Sequence, residues 1–378
     1  MSQQPLGGST IKDGPANAQV AGRSISLSFP SRVSWYAEHR QLINYCLKRL
    51  AFIPLGVFII VTVCFALVNL VPVNPGRQIL GDLATTEAID AINRRLGFDL
   101  PISDRYVVYM KRLAAGDLGT SFYTGASVRD DIARLLPRTL ELTLPALVLA
   151  FIFGLFLGWL TARTPVRLSG RLAKGVYTVL QATPEYVSAV LLILILFSQL
   201  HWAAAPLGRM GIGDVPPKPV TGFLYIDAIL GGRFELLPIM LNHAILPTIV
   251  LVLGISPLFA RISRSNFREA MSSGHVEFAR ASGLPRRQVF GYVLRSARAP
   301  LVTVLGLGFA GAIGGAAIIE SIFSWGGIGQ WAVTAMQTLD LVQVQGFVLL
   351  TATTSLVVYL LIDIVVAALD PRISYGRS

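Results

Sequence analysis

Two placements of residues in this 378-residue sequence could do chemistry. The first is a set of carboxylates inside apolar runs: Glu185 in TPEYVSAVLLILILF, Glu320 in AAIIESIF and Asp363 in YLLIDIVV. An ionisable group held away from water is costly, so it either pairs inside the protein or meets a solute or proton on a pathway. For Glu185 the spacing leaves both roles open: counter-charge to a cationic solute, or a buried hydrogen bond to a neighbouring helix. A structural ion pair suits Asp363, and Asp370 in LDPRIS suits a helix stop before Pro371 and Arg372. The second placement is HVEFARASGLPRRQVF, His275 to Phe290, which sets Arg280, Arg286 and Arg287 against one acid, Glu277, between two apolar runs. A helical turn through His275 to Ala281 is expected to end with Gly283 as a left-handed C′ residue, and Pro285 can open the next helix. In that helix Val289, Phe290, Val293, Leu294 and Ala297 form an apolar stripe, with Arg287, Arg295 and Arg298 on the other side towards lipid headgroups or a partner. The product is a stiff knob suited to docking.

Other chemistries lack their residues. No G-x-x-x-x-G-K-[ST] phosphate loop occurs, so the chain cannot hydrolyse ATP by that route. The four histidines, at 39, 201, 243 and 275, have no metal-ligand spacing. Cys46 and Cys64 would lie about 27 Å apart on one helix, too far for a disulfide. No nucleophile–base set of the kind an enzyme needs is seen. The net charge of +11 is spread over loops without a nucleic-acid-binding motif, and fits membrane topology and anionic lipid instead.

The elements that must position these residues are membrane helices. The chain is 53% hydrophobic and 14% charged, with mean hydropathy +0.61, against about 25% charge in soluble domains. Leu50 to Val71 is an uncharged apolar run long enough to span a bilayer. Five further spans are expected at Leu142 to Ala162, Val176 to Leu200, His243 to Ala260, Pro300 to Glu320 and Gly346 to Leu369, giving an all-α protein of six spans with its termini on one side. Pro247, Gly254 and Pro257 require the fourth span to pack inside protein. Gly154 and Gly158 form a GxxxG for close helix packing, whereas Gly308, Gly311 and Gly315 on one face of the fifth span suit packing or the border of a pathway. Residues 261–298 carry eight arginines, and the short loops at the opposite end carry only Arg209, Lys218 and Arg233. By the positive-inside rule the hairpin and both termini are cytoplasmic.

The expected organisation is a flexible cytoplasmic extension over 1–44, which is not a cleavable signal, a first helix over 45–71, and an extracytoplasmic loop over 72–138. A five-helix core over 139–375 carries the hairpin at 265–299. Within the loop, Glu87 to Leu96 and Arg105 to Leu113 have helical spacing, with Gly97 and Gly116 as stops. That loop suits packing over the outer mouth or docking a soluble partner.

The stretches RRLGFDLPISDRYVVYMKRLAAGDLGTSF (94–122), LLPRTLELTLPA (135–146), EFARASGLPRRQVFGYVLRSARAP (277–300), ESIFSWGGIGQWAVTAMQTLDLVQVQG (320–346) and LDPRIS together carry a resemblance. Over about residues 43–375 the chain resembles the first permease subunit of bacterial ABC importers of the dipeptide, oligopeptide and nickel class. The resemblance implies the type I importer permease fold in an inner membrane. It also implies a homologous second permease, two ATP-binding subunits that hold ATP and Mg, and an extracytoplasmic solute-binding protein. In that family a segment E-A-A-x-x-x-G couples the permease to its ATPase; here Glu277, Ala279 and Gly283 match, Phe278 replaces the middle Ala, and Arg280 and Leu284 complete the coupling set. The family's Pro-Gly-Asp-Pro after the first span appears as VNPGRQ, without the acid, and a Glu at 185 departs from the pattern. Pathway candidates are Glu185, Gly308, Gly311, Gly315 and Glu320. Peptides are the cargo the resemblance implies first, with nickel chelates, opines or sugars as alternatives, and a secondary transporter using Glu185 is the alternative of another class.

Overall fold

The computed structural model describes residues 32–70, 74–81, 83–95 and 97–369, with side chains from residue 50 onward apart from that of Pro75. Most of the 1–44 extension and the Asp370–Arg372 boundary lie outside the described residues. Among the described residues the chain is helical, with one isolated bridge between Thr120 and Ser127. The helices are α1 (Arg32–Leu70), α2 (Pro75–Leu80), α3 (Thr86–Arg95), α4 (Ile102–Ala114), α5 (Val128–Arg163), α6 (Leu168–Ala182) and α7 (Glu185–Leu192), which runs on as a π-helix over Ile193–Gln199. They continue as α8 (Leu224–Leu230), α9 (Leu236–Met271), α10 (Gly274–Ala281), α11 (Arg286–Ile322), α12 (Ile328–Gln337) and α13 (Leu341–Leu369). Helix α1 begins 13 residues before the expected boundary at 45, because nothing in RVSWYAEHRQLIN breaks a helix.

Five helices, α1, α5, α9, α11 and α13, are long and apolar enough to cross a membrane, and α6 with α7 makes a sixth crossing only as a bent pair. This corrects the expectation of one continuous third span over Val176 to Leu200. The two halves meet at 104°. The cause is Pro184: the residue before a proline is pushed out of the helical region, and Thr183 is extended at φ −95°, ψ 119°. Glu185 is therefore the first residue of α7 and not an interior position of one long helix.

Helix α9 runs unbroken through Pro247 and Pro257 at the centre of the bundle, packing most extensively on α5 and α11. Leu246, Val250, Leu251 and Phe259 are at most 1% exposed, the internal packing expected of this span. Gly154 and Gly158 of α5 permit the close approach: a Cβ at Gly154 would lie 2.8 Å from the Ser256 carbonyl, and one at Gly158 would lie 3.0 Å from that of Ala260. Ser263 Oγ also donates to the Gly154 carbonyl at 3.3 Å.

Helices α3 and α4 fall close to their expected positions, with Gly97 and Gly116 at φ 77° as their stops. The segment packs against the ends of α1 and α13. Phe65 meets Tyr106 and Tyr109 at 5.2 and 5.5 Å between centroids, and Gln78 Nε2 donates to the Leu339 carbonyl at 3.0 Å. Asp340 accepts from Ser121 Oγ at 2.5 Å and from the Tyr123 N–H at 3.2 Å.

Candidate functional site

Glu185 reaches its position through the break before α7. Its carboxylate lies between α9 and α11, where only glycine leaves room: a Cβ on Gly315 would sit 2.7 Å from Glu185 Oε2, and one on Gly254 would overlap Oε1. The residue is half-buried. Among the described residues it has no hydrogen-bond or ion-pair partner. Glu185 stands in the first turn of α7, the helix end whose dipole favours a negative charge.

The three glycines of α11 do not share one environment. Gly308 is buried, and a Cβ there would meet the Phe259 ring and Leu147 Cδ1 at 3.2 Å. Gly311 has open space around it, and Gly315 faces Glu185. An exposed stripe instead runs through Thr303, Leu307, Gly311, Gly314 and Ile318, at i, i+4, i+8, i+11 and i+15. Leu307 and Ile318 are each 49% exposed. On α7 and its π-helical continuation the side chains of Tyr186, Val190 and Leu194 are exposed likewise.

Glu320, a second of the three carboxylates inside apolar runs, is 0% exposed. It accepts from Thr139 Oγ1 at 2.5 Å and from the Gln330 N–H at 2.9 Å, while the Ile328 N–H donates to Thr139 Oγ1 at 2.8 Å. Trp325 Nε1 donates to the Arg138 carbonyl at 2.8 Å, so the SWGGIG turn between α11 and α12 is fastened to α5. Sequence reading missed Glu141, which joins Arg209 at 2.7 Å and accepts from the Tyr225 N–H at 3.0 Å. Its position just before an apolar run was the available signal. Burial, with the Glu141 charge adding to it, pushes the Tyr225 phenol up to about 12.

At the other end of the bundle, α10 and its turn form the docking candidate. The Gly283 N–H bonds to the Arg280 carbonyl at 3.0 Å and the Leu284 N–H to that of Ala279 at 3.2 Å, with Gly283 at φ 74°. This pair of bonds is the Schellman closure. Val276 is buried against Phe267, Ala270, Val293 and Ala297, and Ala279 is buried beside it in sequence on the same helix. Phe278 points away at 73% exposure, beside exposed Glu277, Arg280 and Leu284. Arg298 departs from its expected outward role, donating from Nη2 to the Leu369 carbonyl at the end of α13.

The sequence that builds this bundle matches known proteins over most of its length. Residues 154–375 match the family described as binding-protein-dependent transport system inner membrane component, and residues 42–143 match its N-terminal family. The chain belongs to this family. It is thus a multi-pass inner membrane transport component with the permease fold, and is not itself an enzyme. This component is 35% identical over 324 residues to a probable D,D-dipeptide transport system permease of Escherichia coli K12, covering 85% of this chain and 95% of that one. It is 35% identical over 344 residues to a di/tripeptide transport system permease of Pseudomonas aeruginosa, covering 89% and 100%. A glutathione transport system permease of E. coli is 29% identical over 340 residues, covering 88% and 100%. Among solved structures, inward-facing forms of the MetNI methionine ABC transporter give a TM-score of 0.47 at 17% identity, covering 64% of this chain and 96% of that one.

Proposed function

We propose that this chain is one permease subunit of an ATP-driven importer that carries short peptides delivered by an extracytoplasmic binding protein. The transport relatives named for dipeptides, di/tripeptides and glutathione support the cargo class. The hairpin carries the coupling assignment: a knob stiffened by Gly283, anchored by Val276 and Ala279, and presenting Phe278, Glu277, Arg280 and Leu284 outward has the shape of a docking element. Its partner is a separate ATP-binding subunit, two of which hold ATP and Mg. By the arginine distribution this end is cytoplasmic.

The exposed stripe on α11 with the open face of α7 forms half of a pathway, completed by a homologous second permease. Glu185, Gly311 and Gly315 stand at that half-pathway, with Gly308 and Glu320 holding its walls. ATP binding draws the two ATPases together, the hairpins follow, and the pathway opens to the binding protein. Because α5, α9 and α11 are locked by glycine contacts, the motion is transmitted as rigid-body movement.

Reconstitution into proteoliposomes with the second permease, the two ATPase subunits and the binding protein tests this. ATP-dependent accumulation of labelled di- and tripeptides is expected, with none for a nickel chelate, an opine or a sugar. Accumulation without the ATPase subunits, or a preference for one of the other solutes, overturns the assignment.

A further inference from the structure

Beside the hairpin lies a cavity of about 710 Å³ lined by Arg163 at the end of α5, Arg167 before α6, Arg280 on α10, and Arg286 and Arg287 at the start of α11. Among the described residues no acidic side chain lines it. None of the five guanidinium groups has an ion-pair partner among the described residues. Five cations around one cavity repel one another, and an anion in it relieves that repulsion. Arginine's planar fork fits the oxygens of a phosphate in pairs.

The surroundings choose the bearer of that phosphate. Trp159 and Phe290 stand edge to face at 4.6 Å in the cavity wall, with Arg163 over the Trp159 ring at 5.9 Å. Tryptophan beside arginine at the end of a span marks the membrane interface. Next to Arg167, Val166 and Leu168 are 73% and 72% exposed. Guanidinium groups next to exposed aliphatic side chains provide for a charged headgroup and for acyl chains together. An acidic segment of a soluble partner would use only the first.

We infer that this cavity binds the phosphate headgroup of an anionic membrane lipid, bridging the α5–α6 link to the coupling hairpin. The inference rests on the proposed cytoplasmic placement of this end, where anionic headgroups are concentrated. A bound headgroup would join α10 and α11 to α5, so the lipid would stiffen the connection between hairpin and bundle.

The test uses the complete purified transporter, with lipid retention read by native mass spectrometry. Phosphatidylglycerol, phosphatidylcholine and inorganic phosphate are titrated against the natural complex and against Arg163→Gln/Arg167→Gln/Arg287→Gln. The control, Arg94→Gln/Arg95→Gln/Lys111→Gln, removes the same charge from α3 and α4. Selective retention of phosphatidylglycerol is expected, weakened roughly a hundredfold in the first variant and unchanged in the control. Equal retention in both variants overturns the site. Competition by millimolar phosphate with no preference between the lipids would make it a free-anion site and overturn the lipid assignment. Retention by the permease pair alone, lost when the ATPase subunits bind, would give the cavity to the partner instead. Loss of peptide uptake with lipid retention intact would count against the transport reading and leave this one standing.

Discussion

Glu185 and Gly315 are matched across two helices: the α7 carboxylate occupies the volume that a side chain on Gly315 of α11 would fill, with Oε2 2.7 Å from the position of a Cβ. Gly254 of α9 makes the same allowance from the other side. The glycine spacing in the fifth span thus has a specific counterpart.

Gly254→Ala, whose Cβ would meet Glu185 Cγ and Cδ as well as Oε1, should lower stability by about 1–3 kcal/mol through overpacking, and Glu185→Ala should relieve most of that loss. Thermal unfolding of the purified complex carrying each single change and the pair measures the coupling. Strictly additive effects would show that the two residues do not meet.

Glu185→Gln keeps the volume and removes the charge. Assembly should be unchanged, while uptake of cationic peptides falls and uptake of neutral ones persists, because an unpartnered carboxylate in a span takes its counter-charge from the solute. Competition between lysyl and alanyl dipeptides reads the change. An unaltered ratio removes Glu185 from the pathway.

On the hairpin, Phe278→Ala should leave unfolding unchanged, since the side chain is 73% exposed, yet cost about 2 kcal/mol of docking if it is the central anchor. Gly283→Val should strain the left-handed turn by roughly 1–2 kcal/mol. Both should retain membrane insertion and lose substrate-stimulated ATP hydrolysis. Full stimulation in both would end the coupling assignment.

Thr139→Val deletes one donor to the Glu320 carboxylate and one acceptor for the Ile328 N–H. A loss of about 1–3 kcal/mol per unsatisfied buried group is expected. The SWGGIG turn should loosen first, visible as faster hydrogen exchange over residues 324–330. Exchange unchanged there would mean that the network does not hold the turn.

Topology is checked with a chain in which Cys46 and Cys64 are replaced by alanine. A cysteine at exposed Ser103 should react with an impermeant thiol reagent in intact cells, and one at exposed Ser272 only after permeabilisation. Labelling of Ser272→Cys in intact cells reverses the orientation.

What the sequence determined by itself was whatever depends on neighbours a few residues away. The apolar runs, the stops at Gly97, Gly116 and Gly283, and the α3, α4 and α10 helices all follow from local backbone preference and side-chain period. The family motifs belong with them, because they are strings. Even the break at Pro184 is a local signal, concealed by the apolar run around it. Only the tertiary structure decided which faces meet. Gly308 turns to Phe259, Gly311 to open space and Gly315 to Glu185, since a helix's rotation about its axis is set by its neighbours' packing. The Glu141–Arg209 pair, 68 residues apart, and the arginines gathered from α5, α10 and α11 are contacts between distant segments. No local periodicity encodes them, because the close packing of the bundle brings these groups together.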